Sequence, residues 1–555
     1  MNKKVEKDTM KMKQAHYINK TMELDDCQDQ WFFDEKHNCW CLEDVLYTPV
    51  PKDIRFQRLS VYAPKELMNA DGTIREQGRG VPVVFNNNAS GYGQTPHVWL
   101  ESPRCHGQQY LDRGWVYITC GARGKETVDE DGVPVGKSPA NLVDYKTALR
   151  FLRHNKAHLP GDYDRIISVG FSAGGAMSAL LGVTGDNENF LPYLEENCAF
   201  MDESDAVYAC QIYCPITDLD HANMAYEWMF RVDKDSEAGP GREAETMTPF
   251  KDALSGVLYD RYIEYFNSLG LKDPATGEVL VLNEDGRSGS GYDYLMKCLN
   301  NSATKHLKKL RDGELGVDYT LDDYLDGNYT YMARGRIGRK PAGNGGPRLT
   351  LGEMFLRPEK GAPAHPAPPM VETQGTGKCH WLSWDGENAR VSNLDEYVLN
   401  HRRRMKPCTA FDTLELNSPE NEVFGDTQTP IKHFDIGLPD VLEGLKEQFP
   451  EECEKYCASC AAVDGDADLT RKVWLYNPWN YIGTDERSNQ AKHYRVCVGG
   501  CDADTSFMIS MTLALKLANA GMESVDYAIV WDQPHCEADY PGDVCDWIES
   551  VIGQG

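Results

Sequence analysis

The stretch Gly170-Phe171-Ser172-Ala173-Gly174 constrains this chain more than any other. It lies between the strand-like run Arg165-Ile166-Ile167-Ser168-Val169 and the helix-favouring run Gly175-Ala176-Met177-Ser178-Ala179-Leu180-Leu181. A serine between glycines at a strand-to-helix turn sits on a bend that larger neighbours would block, and its hydroxyl is left exposed above the sheet. The helix that follows turns its positive end and its unpaired N–H groups toward the same point. The N–H of Ala173 is therefore placed to hold an oxygen that becomes negative during ester cleavage. Without their flanks these five residues are a small-residue turn; the strand before and the helix after make Ser172 a candidate nucleophile.

A serine hydroxyl is a weak nucleophile at neutral pH and needs a histidine base oriented by a carboxylate. The end of the chain supplies both. His493-Tyr494-Arg495-Val496-Cys497-Val498 reads as a strand running into Gly499-Gly500-Cys501-Asp502-Ala503-Asp504, and a helical stretch follows over residues 505–520. Val525-Asp526-Tyr527-Ala528-Ile529-Val530-Trp531 reads as the last strand. It runs into Asp532-Gln533-Pro534-His535, with a short helix over 543–552 behind it. An acid after the penultimate strand and a histidine after the last are where an α/β-hydrolase fold gathers its reacting groups, at the carboxyl ends of a mostly parallel sheet. Ser172, Asp502 and His535 are the expected catalytic residues. Asp504, Asp218 and Asp220 compete for the acid, and aspartates after strands also serve as helix caps and turn formers. Of the 14 histidines, only His535 combines a late position with a strand end.

The net charge of −29 sets the chain against polyanionic partners, so neither nucleic acid nor an anionic membrane is expected. The start, Met1-Asn2-Lys3-Lys4-Val5-Glu6-Lys7-Asp8-Thr9-Met10, shows no apolar signal core and no run approaches a membrane span, which makes the cytoplasm the expected location. The 18 cysteines then read mainly as reduced core thiols. Cys453, Cys457 and Cys460 share one face of a helix-like segment without a second ligand pair, so no metal is expected there. Cys501 and Cys536 flank Asp502 and His535 closely enough for a disulfide between the two loops to be considered.

Strand signals divide the chain. Residues 1–53 form an aromatic and acidic extension with no clear period, and 54–222 and 428–555 read as two parts of one hydrolase core. Within the first part, Val81-Pro82-Val83-Val84-Phe85 leads into the loop 86–93, the position that usually supplies a second oxyanion N–H; Ser90 is the candidate. Residues 223–427 interrupt the pattern with helical stretches at 251–267 and 294–310. They also contain Arg334-Gly335-Arg336-Ile337-Gly338-Arg339-Lys340-Pro341 and a proline-rich run over 361–369. An insertion at this point rises over the strand ends and reads as a lid domain.

The elbow resembles that of the bacterial tannases, the tannin acyl hydrolases. So do Lys406-Pro407-Cys408-Thr409-Ala410-Phe411-Asp412, Ser418-Pro419-Glu420-Asn421-Glu422-Val423-Phe424-Gly425, Asp502-Ala503-Asp504-Thr505-Ser506 and Trp531-Asp532-Gln533-Pro534-His535. The resemblance implies a Ser-His-Asp esterase acting on galloyl esters, with no cofactor and a small phenolic ester as its partner. By the same motifs it implies that Lys406, Glu420 and Asp504 bind the three ring hydroxyls. Read from their surroundings alone, Lys406 belongs to a solvated basic run with Arg402-Arg403-Arg404, and Glu420 is a helix-start carboxylate. A feruloyl or other aromatic-acid esterase on the same fold, and a catalytically silent binding protein, are the alternatives.

Overall fold

Strands buried on both faces read as unbroken apolar runs, and this accounts for Val83-Val84-Phe85, Val116-Tyr117-Ile118 and Ile166-Ile167, all of which are fully buried. The computed structural model describes residues 22–24, 30–236, 245–334, 353, 355–356, 370–375, 377–460, 465–484 and 487–553. The chain start, the glycine- and arginine-rich stretch 335–341 and the proline-rich run 361–369 lie outside these.

The described strands are β1 (Phe32–Asp34), β2 (Cys39–Leu46), β3 (Arg58–Pro64), β4 (Pro82–Asn87), β5 (Val116–Cys120), β6 (Asp162–Phe171) and β7 (Ala209–Tyr213). They continue with β8 (Asp235–Ser236), β9 (Glu245–Thr246), β10 (Thr330–Arg334), β11 (Met370–Gln374), β12 (Leu382–Trp384), β13 (Ala389–Val391), β14 (His493–Gly499) and β15 (Ser524–Val530). Nine of them form one sheet in the order β1-β2-β3-β5-β4-β6-β7-β14-β15. The pairs from β1 to β5 along this order are antiparallel, and every pair from β5 to β15 is parallel. This is an α/β-hydrolase fold, with the carboxyl ends of β4, β6, β7, β14 and β15 on one edge. The strands β1 and β2 fall in the segment where no period is visible. β1 is an edge strand of three partly exposed residues, and the β2–β3 pairing slips register between Leu42 and Val45, which breaks the alternation that would betray a strand.

Between β7 and β14 the chain leaves the sheet. It forms the helices Leu219–Phe230, Pro249–Ser268 and Ser290–Arg311, smaller helices, and the two-stranded ribbons β8–β9, β10–β11 and β12–β13. A second apolar cluster gathers Phe250, Leu254 and Leu258 against Leu438, Val441 and Leu442, with Cys453 and Cys460 buried inside it. Strands of the main sheet resume only at His493. Among the described residues no helix is long and apolar enough to cross a membrane.

The basic run 402–404 departs most from its sequence reading as a solvated cluster. Arg402 and Arg404 are each 1% exposed. Arg404 donates from both guanidinium ends to Glu227, Nη1 at 2.9 Å, and from Nε to the Lys406 carbonyl at 2.8 Å. Arg402 lies 3.7 Å from the Phe507 ring and donates to the Thr505 carbonyl at 2.5 Å. Arg403 alone is half exposed, paired with Asp233.

Two stability outcomes follow from this packing. A Cβ on Gly170 would stand 2.0 Å from the Gly174 carbonyl oxygen, whereas one on Gly444, in the exposed part of the helix Leu438–Leu445, meets nothing within 4 Å. Gly170→Ala is expected to destabilise by about 1–3 kcal/mol or more, and Gly444→Ala to stabilise by about 0.5–1 kcal/mol, both read from urea unfolding. Glu227→Ala strands a buried guanidinium and is expected to cost about 3–5 kcal/mol. Lys446→Ala, in the exposed pair with Glu443, costs less than about 1 kcal/mol in the same assay.

Candidate active site

β6 ends at Phe171 and the next helix begins at Ala173, so Ser172 takes the whole reversal at φ 61° and ψ −122°. A serine enters such a conformation at a cost of about 1–3 kcal/mol. The bend is held by the Ser172 N–H, which donates to the Tyr213 carbonyl at the end of β7 at 3.0 Å. From the other side, Asn87 at the end of β4 donates to the Val169 carbonyl and to the Ser178 hydroxyl.

His535 brings Nε2 to 2.8 Å from Ser172 Oγ and Nδ1 to 2.8 Å from Asp502 Oδ2. The Phe171 ring packs on its imidazole with centroids 4.8 Å apart. Asp502 is fully buried, and its other oxygen accepts the Asp504 N–H at 2.9 Å. The two loops are tied directly, since the Cys501 N–H donates to the Gln533 carbonyl at 2.8 Å. Cys501 and Cys536 carry free thiols: Cys501 Sγ is 3.3 Å from His401 Nε2, and Cys536 Sγ is 3.6 Å from Gln533 Oε1.

The rival acids are engaged elsewhere. Asp218 contacts His221 at 2.9 Å, Tyr265 at 2.7 Å and Asn477 at 2.9 Å, and Asp220 also binds Asn477. Burial opposes a charge on His221, yet Asp218 and Asp220 drive its pKa up to about 11, so this group is a buried ion cluster of its own. Asp504 is half-buried and bonds Asp502 through its backbone.

Ala173 opens its helix, where an N–H has no intrahelical partner. The Ala89 carbonyl accepts from the Gly174 N–H at 3.1 Å, and this brings the half-buried Ser90 loop beside the elbow.

The Lys406 side chain is buried with Nζ 3.7 Å from the Phe411 ring centroid. Glu420 lies in the short helix Pro419–Val423, which is capped by Ser418. It is 6% exposed, and its Oε2 is sealed from solvent without a hydrogen-bond partner among the described residues. It stands near the Ser90 loop: burial first, and then the negative charge of Glu420, push the Tyr92 phenol well above its ordinary range. Lys406 and Asp504 are joined by a residue that sequence reasoning missed. The Tyr226 hydroxyl accepts the Lys406 N–H at 2.9 Å and the Met405 N–H at 3.2 Å, and it donates to the Ala503 carbonyl at 2.9 Å. Burial raises this phenol to about 12, so it stays protonated and able to donate. Arg402 was missed too. Burial depresses its pKa, and the nearby Asp502 carboxylate is the charge that most supports its ionised form.

A family model described as BD-FAE matches residues 107–253. No curated protein matches the sequence. Among solved structures, a tannin acyl hydrolase from Lactobacillus plantarum is 30% identical, with 92% of this chain and 94% of that one covered at a TM-score of 0.69. The tannase of Fusobacterium nucleatum is 27% identical, with 93% and 95% covered at a TM-score of 0.68. A tannin acyl hydrolase in complex with ethyl gallate is 28% identical, with 93% and 94% covered at a TM-score of 0.68. Likeness at this identity along nearly the whole of both chains identifies more than a shared fold: the chain belongs to the bacterial tannase family and is a carboxylic-ester hydrolase.

Proposed function

We propose that this hydrolase cleaves galloyl esters through an acyl-enzyme on Ser172. The observation that carries the reading is the unbroken line from Ser172 Oγ through His535 to Asp502, with both links at 2.8 Å. A proton on Nδ1, donated to Asp502, leaves Nε2 to accept the serine proton as Oγ attacks the ester carbonyl. The Ala173 N–H and a donor from the Ser90 loop hold the resulting oxyanion. The tetrahedral adduct expels the alcohol, which takes its proton from His535. Water then gives a proton to the same nitrogen and attacks the acyl-enzyme; the Ser172 Oγ–acyl bond breaks, His535 returns the proton to Oγ, and the acid is freed.

The substrate reading is supported by the buried charges. A galloyl ring carries three adjacent hydroxyls, which an ammonium donor and two carboxylate acceptors would satisfy. Lys406, Glu420 and Asp504 are these groups, and the sealed, unpartnered Oε2 of Glu420 is what such a ligand would relieve. A related structure holds ethyl gallate and another 3,4-dihydroxybenzoate, which agrees with a phenolic acyl group. Residues 223–427, so far as they are described, are read as the lid domain beside this ring.

Ser172→Ala is expected to lower kcat by about 10⁴-fold or more with the fold retained. Asp502→Asn is expected to lower it by about 10³- to 10⁴-fold through the wrong imidazole tautomer. A large kcat loss in Asp218→Asn with near-normal Asp502→Asn would reassign the acid.

Specificity is read from methyl gallate, methyl ferulate, methyl benzoate and p-nitrophenyl acetate. Methyl gallate should be preferred, because benzoate brings no hydroxyl to the sealed Oε2 of Glu420; a site built to bond hydroxyls rejects analogues lacking them by up to about 10⁴-fold. Glu420→Ala and Lys406→Ala should reduce kcat/KM far more for methyl gallate than for p-nitrophenyl acetate. Equal losses on both esters, or a preference for ferulate, would remove the galloyl assignment and leave the esterase.

A further inference from the structure

Behind the two loops that carry Asp502 and His535, four side chains of metal-binding type converge with no role in the hydrolysis described above. His401 Nε2 lies 2.9 Å from Asp532 Oδ1 and 3.3 Å from Cys501 Sγ. These three residues offer ligand atoms that all fall within 4.8 Å of one another. His306 Nε2 stands 3.2 Å from the second oxygen of Asp532. His401, His306 and Asp532 are 4%, 5% and 7% exposed, and Cys501 is half-buried.

Protein contacts alone leave this cluster incompletely satisfied. Asp532 Oδ2 and His306 Nε2 face each other in a geometry that makes no hydrogen bond, and neither has another partner among the described residues. Buried polar atoms whose one contact is an ion pair without hydrogen-bond geometry are uncommon and leave room for a further partner in the cluster. The groups around them are arranged as outer supports of a metal site are. His306 contacts the Tyr540 hydroxyl through Nδ1 at 3.3 Å, which turns Nε2 toward Asp532, and Tyr324 donates to Asp532 Oδ1 at 2.9 Å while accepting from Trp531 Nε1 at 2.7 Å.

The geometry points to a structural site for a zinc-like divalent cation, with His401, Cys501 and Asp532 as its protein ligands and His306 supporting Asp532 from its second oxygen. Tetrahedral zinc with bonds of about 2.0–2.3 Å holds its ligand atoms roughly 3.3–3.7 Å apart, so the observed 2.9 and 3.3 Å spacings need open by only a few tenths of an ångström. One thiolate, one carboxylate and one neutral imidazole balance the two positive charges, so the filled site is neutral where burial penalises net charge. Its place in the fold gives it a purpose. His306 comes from the helix Ser290–Arg311 and His401 follows the helix Leu394–Asn400, while Cys501 precedes Asp502 and Asp532 lies three residues before His535. A bound cation would clamp the insertion onto both loops at once.

The test uses the full-length protein, stripped with chelator and titrated with Co²⁺ and with Zn²⁺. Wild type is expected to bind one equivalent of Co²⁺ with a thiolate-to-cobalt charge-transfer band, and Zn²⁺ should displace it and raise the Tm. Cys501→Ser should abolish the band, and His306→Gln should weaken Zn²⁺ binding by the ~10- to 100-fold that loss of an outer-shell partner costs. Cys214, which neighbours Asp502 and His535, provides the control, so Cys214→Ser should leave the band in place. No cobalt–thiolate band in wild type, a band that survives Cys501→Ser, or one lost instead in Cys214→Ser would each overturn the site.

Discussion

One phenol oxygen fixes the relation between the two halves of the site. Tyr226 receives two backbone N–H groups from residues 405 and 406 and returns its own proton to the Ala503 carbonyl, so two loops far apart in sequence meet on one atom. Loops hold a precise geometry only when their backbone groups are bonded to something rigid. Here that support is the helix Leu219–Phe230, which directly follows β7 and the contact that holds Ser172. The next residue on the helix, Glu227, takes the guanidinium of Arg404, so neighbouring positions grip the 402–406 segment through a neutral and an ionic contact.

The buried charges of this chain place side chains more than they add stability. A buried ion pair seldom outweighs a well-packed apolar replacement, yet removing one member exposes the full desolvation cost of the other. Arg404 with Glu227, Arg123 with Asp144, and Lys146 and Arg150 with Asp205 are all nearly solvent-free pairs or triads. Each has few arrangements that leave no charge unpaired, and this restricts how the segments within the insertion and within the core can pack. Arg402 differs in having a ring and a carbonyl as its direct partners, with Asp502 supplying the supporting negative charge.

The parts of this site that sequence reveals are those dictated by local backbone rules. Ser172 is legible because its glycines are required by contacts that a Cβ would violate, and His535 and Asp502 are legible because each follows an apolar strand. Lys406 and Glu420 become candidates only through family resemblance, since a basic run and a helix-start carboxylate ordinarily mean solvent. In this chain Arg402, Arg404, Lys406 and Glu420 are all buried, because partners far away in sequence, such as Glu227 and Thr505, receive the arginines. Tyr226 could not be found from sequence for the same reason: an aromatic on a mostly apolar helix reads as core, and only the fold shows what its hydroxyl meets. β1 and β2 escaped notice because a short edge strand and a register slip leave no period to detect.

The spacing of Asp502 and Asp504 links recognition to reactivity. The Asp504 N–H holds one oxygen of the Asp502 carboxylate, and the other oxygen faces His535. On the proposed galloyl reading, a shift of Asp504 toward a bound ring would be transmitted through this one hydrogen bond to the carboxylate that faces the imidazole. On the same reading, a substrate whose hydroxyl engages Asp504 tightens the loop that aligns the base, while an ester lacking that hydroxyl leaves the loop to its protein contacts, among them Tyr226 and the Gln533 carbonyl. Discrimination would then fall on kcat as well as KM, because the same short loop both meets the ring and aligns the histidine.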